Sequence, residues 1–149
     1  MAWTSAVRLG DLTCTRANGE TCRFEVRVLR GSQSDGELLY CYARPFPIKQ
    51  QGEKEYSAQL RWVESDLLQM EFMTNRHLSA RFHRGWGITR ELMPLLATHY
   101  SARIRSSRRK AEGESHSDSA RRFWEGMVRD GLASHSPSDD RFYYPAFRD

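Results

Sequence analysis

The sequence is poor in cysteine. Cys14, Cys22 and Cys41 are an odd set with no C-x-x-C spacing, which argues against both a disulfide framework and a thiolate zinc site and points to three reduced thiols, some of them in the core. Long apolar runs are missing as well. None approaches the roughly 18 residues that cross a membrane, and Met1 to Leu9 has no hydrophobic signal core, so a cytoplasmic protein is expected. There is no internal repeat, and no Ser-His-Asp or Cys-His arrangement can be read from the spacing. Charge of one sign is not abundant either: 23 basic against 19 acidic residues leave a net charge of +4. That agrees with a phosphate-bearing ligand or a nucleic acid and demands neither. What is present is an ordinary globular composition, 39% hydrophobic and 28% charged, in a chain long enough for one domain, 1–149, with a real core.

The first nineteen residues read as a short strand or an irregular turn carrying Trp3, Val7, Leu9 and Leu12, ended by Asn18-Gly19. Four strands follow. Cys22, Phe24, Val26 and Val28 alternate with Arg23, Glu25 and Arg27, the pattern of a half-buried strand. Glu37 to Arg44 is the second, with Leu38, Tyr40 and Tyr42 on one face. A loop marked by Pro45, Pro47 and Gly52 leads to the third, with Tyr56, Ala58, Leu60 and Trp62 on one face. The fourth carries Leu68, Met70 and Phe72 on one side and Gln69, Glu71 and Met73 on the other. Short connections imply antiparallel neighbours. The period then changes: Ile88, Leu92, Leu95 and Leu96 form a helix face. Pro94 within it removes a hydrogen bond and can cost about 3 kcal/mol, so a kink or early break is expected. Ala102, Ile104 and Ser106 mark a short strand, which should run parallel to the fourth across this helix. Arg108 to Ser119 reads as a polar loop. Ser117 or Asp118 caps a second helix with Ala120, Phe123, Trp124, Met127 and Val128 as its apolar stripe, and Gly131 ends it. Arg141 to Phe147 is a last strand.

The first helix opens on Arg84-Gly85-Trp86-Gly87-Ile88-Thr89. A helix start leaves backbone N–H groups pointing at any arriving anion, and glycine lets the backbone approach a ligand and take positive φ. The stretch is a pyrophosphate cradle or a tight turn with one exposed arginine.

This order of elements, with R-G-W-G-I-T at this place in it, resembles the GNAT acetyltransferase superfamily. The family's acetyl-CoA signature, Q/R-x-x-G-x-G/A, opens the helix after its fourth strand. Arg84 and Gly87 match the arginine and the central glycine, and Thr89 stands where the family has Gly or Ala. Ser117 to Ala133, S-D-S-A-R-R-F-W-E-G-M-V-R-D-G-L-A, is similar to the family's later helix, N-x-x-A-x-x-F/Y-Y-x-x-x-G-F/A. The resemblance covers roughly Cys22 to Tyr144. It implies an α+β fold with a GNAT-like mixed central sheet, an antiparallel meander followed by a β-α-β crossover, and helices packed on it. It implies an N-acetyltransferase that moves an acetyl group from acetyl-CoA, its cosubstrate, to an amine acceptor by direct transfer in a ternary complex. The acceptor is a small molecule or a protein.

Under that resemblance, Gly85 and the backbone N–H groups of Trp86, Gly87, Ile88 and Thr89 would hold the pyrophosphate, with Arg84, or Arg81 in its place, pairing with phosphate oxygens. Two departures stand out. The family places two helices between its first two strands, where they build much of the acceptor site. The gap from Leu29 to Glu37 cannot hold them, so the pocket is open or completed by other loops or by a partner chain, as in a homodimer. The tyrosine often used as general acid falls on Trp124, whose indole is not a useful proton donor.

Glu71 is the candidate base for the acceptor amine, although its strand face also reads as an ordinary solvent face. Tyr143 and Tyr144 are the candidate acids, or else edge-strand packing. His77 and His83 read as surface residues. Arg103, Arg105, Arg108, Arg109 and Lys110 form the densest basic run. It suits the coenzyme's ribose phosphate, an acidic acceptor, a nucleic acid or plain solvation. Two other readings stand beside the enzyme: a non-catalytic GNAT-fold binding or inhibitor protein, phage-like or regulatory, acting on a macromolecular partner, and a nucleic-acid-binding α+β domain without coenzyme.

Overall fold

The computed structural model describes residues 2–33, 36–46, 55–75, 87–108, 110–111, 114–115 and 118–147. A short helix, α1 (Ala2–Ser5), leads into β1 (Val7–Thr15), β2 (Thr21–Gln33), β3 (Gly36–Pro45), β4 (Tyr56–Glu64) and β5 (Leu67–Asn75). Each strand is antiparallel to the one before. Helix α2 (Ile88–Tyr100) then carries the chain to β6 (Arg103–Ser106), which pairs in parallel with β5. A two-residue ladder of β7 (Lys110–Ala111) and β8 (Glu114–Ser115) precedes α3 (Asp118–Arg129), and β9 (Ser134–Ser136) and β10 (Arg141–Tyr144) follow. Among the described residues the main sheet has the order β1-β2-β3-β4-β5-β6-β10-β9. The α+β class, the antiparallel meander and the parallel crossover agree with the sequence expectation. The meander has five strands, because the N-terminal stretch supplies β1. The expected polar loop after Arg108 contains the β7–β8 ladder.

Both longer helices share one face of the sheet. Leu12, Phe24, Val26, Cys41, Leu60, Leu68, Met70, Ile104 and Phe142 meet Ile88, Leu92, Met93 and Leu96 of α2 and Trp124 and Met127 of α3 in a single core. The small side chains Cys41, Ala43 and Ala58 belong to it, so the principal core face of β3 is the one opposite Leu38, Tyr40 and Tyr42. Tyr42 instead packs with Trp3 and Ala6 on the other face. There the Trp3 ring lies under two guanidinium groups, Arg27 at 4.5 Å and Arg44 at 4.7 Å, and Arg27 donates to the Trp3 carbonyl at 3.0 Å. These contacts hold α1 against the sheet.

Helix α2 runs unbroken through Pro94, contrary to the expected kink. Pro94 lies on the exposed side, and four large side chains of the helix, Ile88, Leu92, Met93 and Leu96, are almost fully buried. At about 1.5–3 kcal/mol each, they outweigh one lost hydrogen bond. Leu95 completes the contact from the side: a Cβ placed on Gly10 of β1 would sit 3.5 Å from its methyl group. The helix ends at Ser101, whose φ of 50° lets its N–H return to the carbonyls of Ala97 and Thr98. Helix α3 ends at Gly131, φ 77°, with Gly131 and Leu132 donating to Val128 and Met127 at 3.0 and 2.9 Å, the expected glycine stop. Among the described residues, no helix is long and apolar enough to cross a membrane.

Candidate functional site

Two features mark the crossover from β5 through α2 to β6. Their parallel register runs from Leu67 with Arg103 to Met70 with Ser106 and ends there. β5 continues to Asn75 alongside β4, which it follows through an irregularity: Leu60 faces Met70 and Gln59 faces Phe72, so Glu71 is the extra residue of a bulge. Beyond Glu71 the register places Met73 opposite Ala58, so the simple alternation expected along this strand is interrupted there.

On the helix face, α2 opens at Gly87 in the left-handed region, φ 69° and ψ 35°, without a side-chain cap. Its carbonyl accepts the first helical hydrogen bond, from Glu91 N–H at 3.1 Å. A Cβ at Gly87 would meet no atom within 4 Å, so glycine is favoured here by backbone conformation and not by crowding. Beside it lies a pocket of about 360 Å³ between the start of α2 and one side of α3, lined by Tyr56, Gly87, Thr89, Arg90, Arg122 and Arg129 among others. The Tyr56 and Thr89 hydroxyls are hydrogen-bonded at 2.6 Å. Burial pushes the Tyr56 phenol well above its ordinary value, with the Thr89 bond opposing, so it stays protonated. Arg90 pairs with Asp130 at 2.7 Å. Arg129 approaches the same Asp130 carboxylate at 3.9 Å, so the three guanidinium groups and the positive end of the helix dipole are here accompanied by one carboxylate.

Of the expected cradle, Gly87, Ile88 and Thr89 stand at this helix start. Ile88 and Thr89 are buried, and the Thr89 hydroxyl is engaged with Tyr56. Arg81, Arg84, Gly85 and Trp86 lie outside the described residues, as do His77, His83 and Arg109. The three pocket arginines and Tyr56 were not singled out from the sequence as a cradle. Arg90 lies on α2 and Arg122 and Arg129 on α3, and only the packing of the two helices brings them to one pocket.

The opposite face of the sheet carries the candidate catalytic groups. The Glu71 carboxylate accepts from Arg61 Nε and from Gln69 Nε2 at 3.3 Å. Gln69 is buried, and its Oε1 accepts from two guanidinium groups at once, Arg105 Nε and Arg141 Nη1, both at 2.9 Å. Arg141 Nη1 also donates to the Ser106 carbonyl at 3.1 Å, and Phe142 N–H donates to the Ser106 hydroxyl at 2.9 Å. Tyr143 pairs across the ladder with Arg105 and donates to Asp139 Oδ2 at 2.7 Å. Burial and that bond raise the Tyr143 phenol. Glu71 and Tyr143 therefore border one polar network, whereas Tyr144 is packed against the core on the helix face. Trp124 is 1% exposed and stacks on Phe142 at 5.9 Å, so that position on α3 serves the core. The expected basic run is divided: Arg105 joins the network, and Arg103 lies between the Tyr143 and Phe147 rings at 5.4 and 5.2 Å. Among the described residues, no group of three or more His, Cys, Asp or Glu is placed to hold a metal ion.

No family model, curated protein or solved structure matches the chain. The class its fold defines is a single α+β sheet with a parallel crossover and two helices on one face.

Proposed function

We propose that the chain is a compact GNAT-type N-acetyltransferase that moves an acetyl group from acetyl-CoA to an amine acceptor in a cytoplasmic setting. The observation that carries this reading is an arginine-lined pocket at the left-handed start of the helix that joins two parallel strands, which part after Met70 and Ser106. The parting strands leave main-chain edges that suit an extended, amide-bearing arm. The pocket suits the diphosphate at the far end of that arm. In the transfer, the acceptor nitrogen attacks the thioester carbonyl; a C–N bond forms and the C–S bond breaks. Glu71, beside the parting strands, takes the amine proton, and Tyr143 returns a proton to the thiolate.

A second reading has its own support. Glu71 is tied to Arg61 by a side-chain hydrogen bond. Tyr143 is tied to Asp139, and Trp124 is committed to the core. A protein that binds coenzyme A without turnover, or that acts on a macromolecular partner, needs none of these three to react.

Calorimetric titration with acetyl-CoA tests the pocket. Wild type is expected to bind in the micromolar range. Gly87→Asp is expected to lose at least about tenfold, roughly 1.4 kcal/mol, through charge repulsion, while Gly87→Asn keeps most of the affinity. Both residues tolerate positive φ and cap helices well, so the fold is retained in each. Equal binding by all three proteins sinks the pocket assignment. Binding without thiol release over a panel of amines selects the non-catalytic reading.

A further inference from the structure

Helix α3 turns one stripe towards the pocket at the start of α2, and that stripe has a gap in it. Arg122, Gly126 and Arg129 stand at i, i+4 and i+7 along α3, so they share a face. All three line the pocket, with Phe123 and Met127 beside them. Gly126 is thus a helix-interior glycine set between two arginines. Glycine weakens a helix interior relative to alanine, because its backbone has more freedom to lose. Gly126 lies within the helix and outside the left-handed region, so the backbone does not call for it. Packing does not call for it either. Among the described residues, a Cβ at Gly126 would meet only Arg129 Nη2, at 3.3 Å, and the end of an exposed, flexible side chain moves aside at little cost. What the missing side chain does leave is bare main chain in the pocket wall. The size of the pocket points the same way. Its volume of about 360 Å³ falls among small-molecule sites, roughly 300–1,000 Å³, and a diphosphate group alone fills only a minor part of it.

We infer that the pocket takes a nucleoside diphosphate whole, with the diphosphate at the Gly87 end of α2 and the base laid flat against α3 at Gly126, and that Gly126 sets the room for that base. The place of the diphosphate rests on the acyl-transfer reading of the pocket. The nucleoside rests on Gly126 and on the volume alone. Bare main chain lets a flat ring come into van der Waals contact with the helix. The Phe123 ring and the planar guanidinium groups of Arg122 and Arg129, which line the same wall, are surfaces on which a base stacks. A side chain at position 126 would occupy that contact and leave the diphosphate end untouched.

Calorimetric titrations would compare ADP with inorganic pyrophosphate, which has the diphosphate and no nucleoside, on the full chain and on its Gly126→Ala and Gly126→Leu variants. Wild type is expected to bind ADP about tenfold tighter than pyrophosphate, the gain from one stacked base. Gly126→Ala is expected to weaken ADP binding about threefold and Gly126→Leu about tenfold or more, while pyrophosphate affinity is unchanged. Alanine and leucine are better helix formers than glycine, so α3 is retained in both, and Gly126→Ala is expected to unfold at or above the wild-type temperature. Higher stability with weaker ADP binding separates a glycine kept for a ligand from one kept for the fold. The inference is overturned by ADP binding no tighter than pyrophosphate in wild type, by a Gly126→Leu protein that binds ADP like wild type, by equal losses of ADP and pyrophosphate, or by a Gly126→Ala protein that unfolds below wild type. Acetyl-CoA is titrated into the same samples. ADP binding that depends on Gly126, without acetyl-CoA binding, leaves the nucleotide site standing and removes acyl transfer. Acetyl-CoA and pyrophosphate binding with no effect of Gly126 on ADP removes this inference alone.

Discussion

Cys14 and Cys22 are cross-strand partners on β1 and β2, yet their surroundings separate them chemically. Burial, aided by the nearby Glu91 carboxylate, pushes the Cys14 thiol up to about 12. Cys41 is fully enclosed and is raised further by burial. Cys22 alone is half-buried. A thiol reagent at pH 8 is therefore expected to modify one cysteine per native chain, Cys22, and all three after unfolding; rapid native labelling of Cys14 or Cys41 would contradict the packing. Three reduced thiols, some in the core, were legible from composition. The partner of each polar residue was not. Gln69 and Glu71 look alike on a strand of alternating character, but one lies buried between two arginines and the other occupies a bulge. The bulge comes from the pairing with β4, and no local sequence signal announces it.

At the scale of elements, helix ends were easier to read than helix interiors. Gly131 stops α3 by the expected left-handed turn, whereas α2 is stopped by Ser101 at φ 50°, a conformation that strains a residue with a Cβ. Ser101 is exposed and its cap bonds come from its own backbone. Ser101→Gly is expected to raise stability by roughly 0.5–1 kcal/mol, the relieved strain exceeding the added chain entropy of glycine, measured as a higher urea midpoint with an unchanged slope. Pro94 shows the opposite case, a strong local signal overruled by burial on the other side of the same helix. β1 was ambiguous because its apolar positions are few. Its pairing with β2 and the contact of Gly10 with Leu95 decide its state.

For the whole molecule, several carboxylates are held in their charged form by the fold. Asp140 is lowered by its bond to His135 and by Arg121. Asp11 is lowered by Arg8 and then Arg23 against a smaller desolvation. Burial raises Asp139, but bonds from Tyr143 and Ser136 lower it on balance. A carboxylate with a folded pKa below its unfolded value contributes stability above the unfolded value, and that contribution is lost as pH falls through the folded one. The thermal midpoint should thus hold near neutrality and fall below about pH 4, and Asp140→Asn should flatten part of that acid limb. A midpoint independent of pH in this range would contradict the assignment.

The α+β class, the antiparallel meander, the helix after it and the short strand that returns beside the meander were all determined by the sequence alone, because period and turn chemistry are local properties. Only the tertiary structure decided the register of the strands, where β5 and β6 part, and that Arg90, Arg122 and Arg129 line one pocket while Arg105 and Arg141 share Gln69. Those juxtapositions depend on register and on the packing of helices against the sheet, which join residues as many as 72 positions apart, as Gln69 and Arg141 are, and such distances leave no periodic trace along the chain.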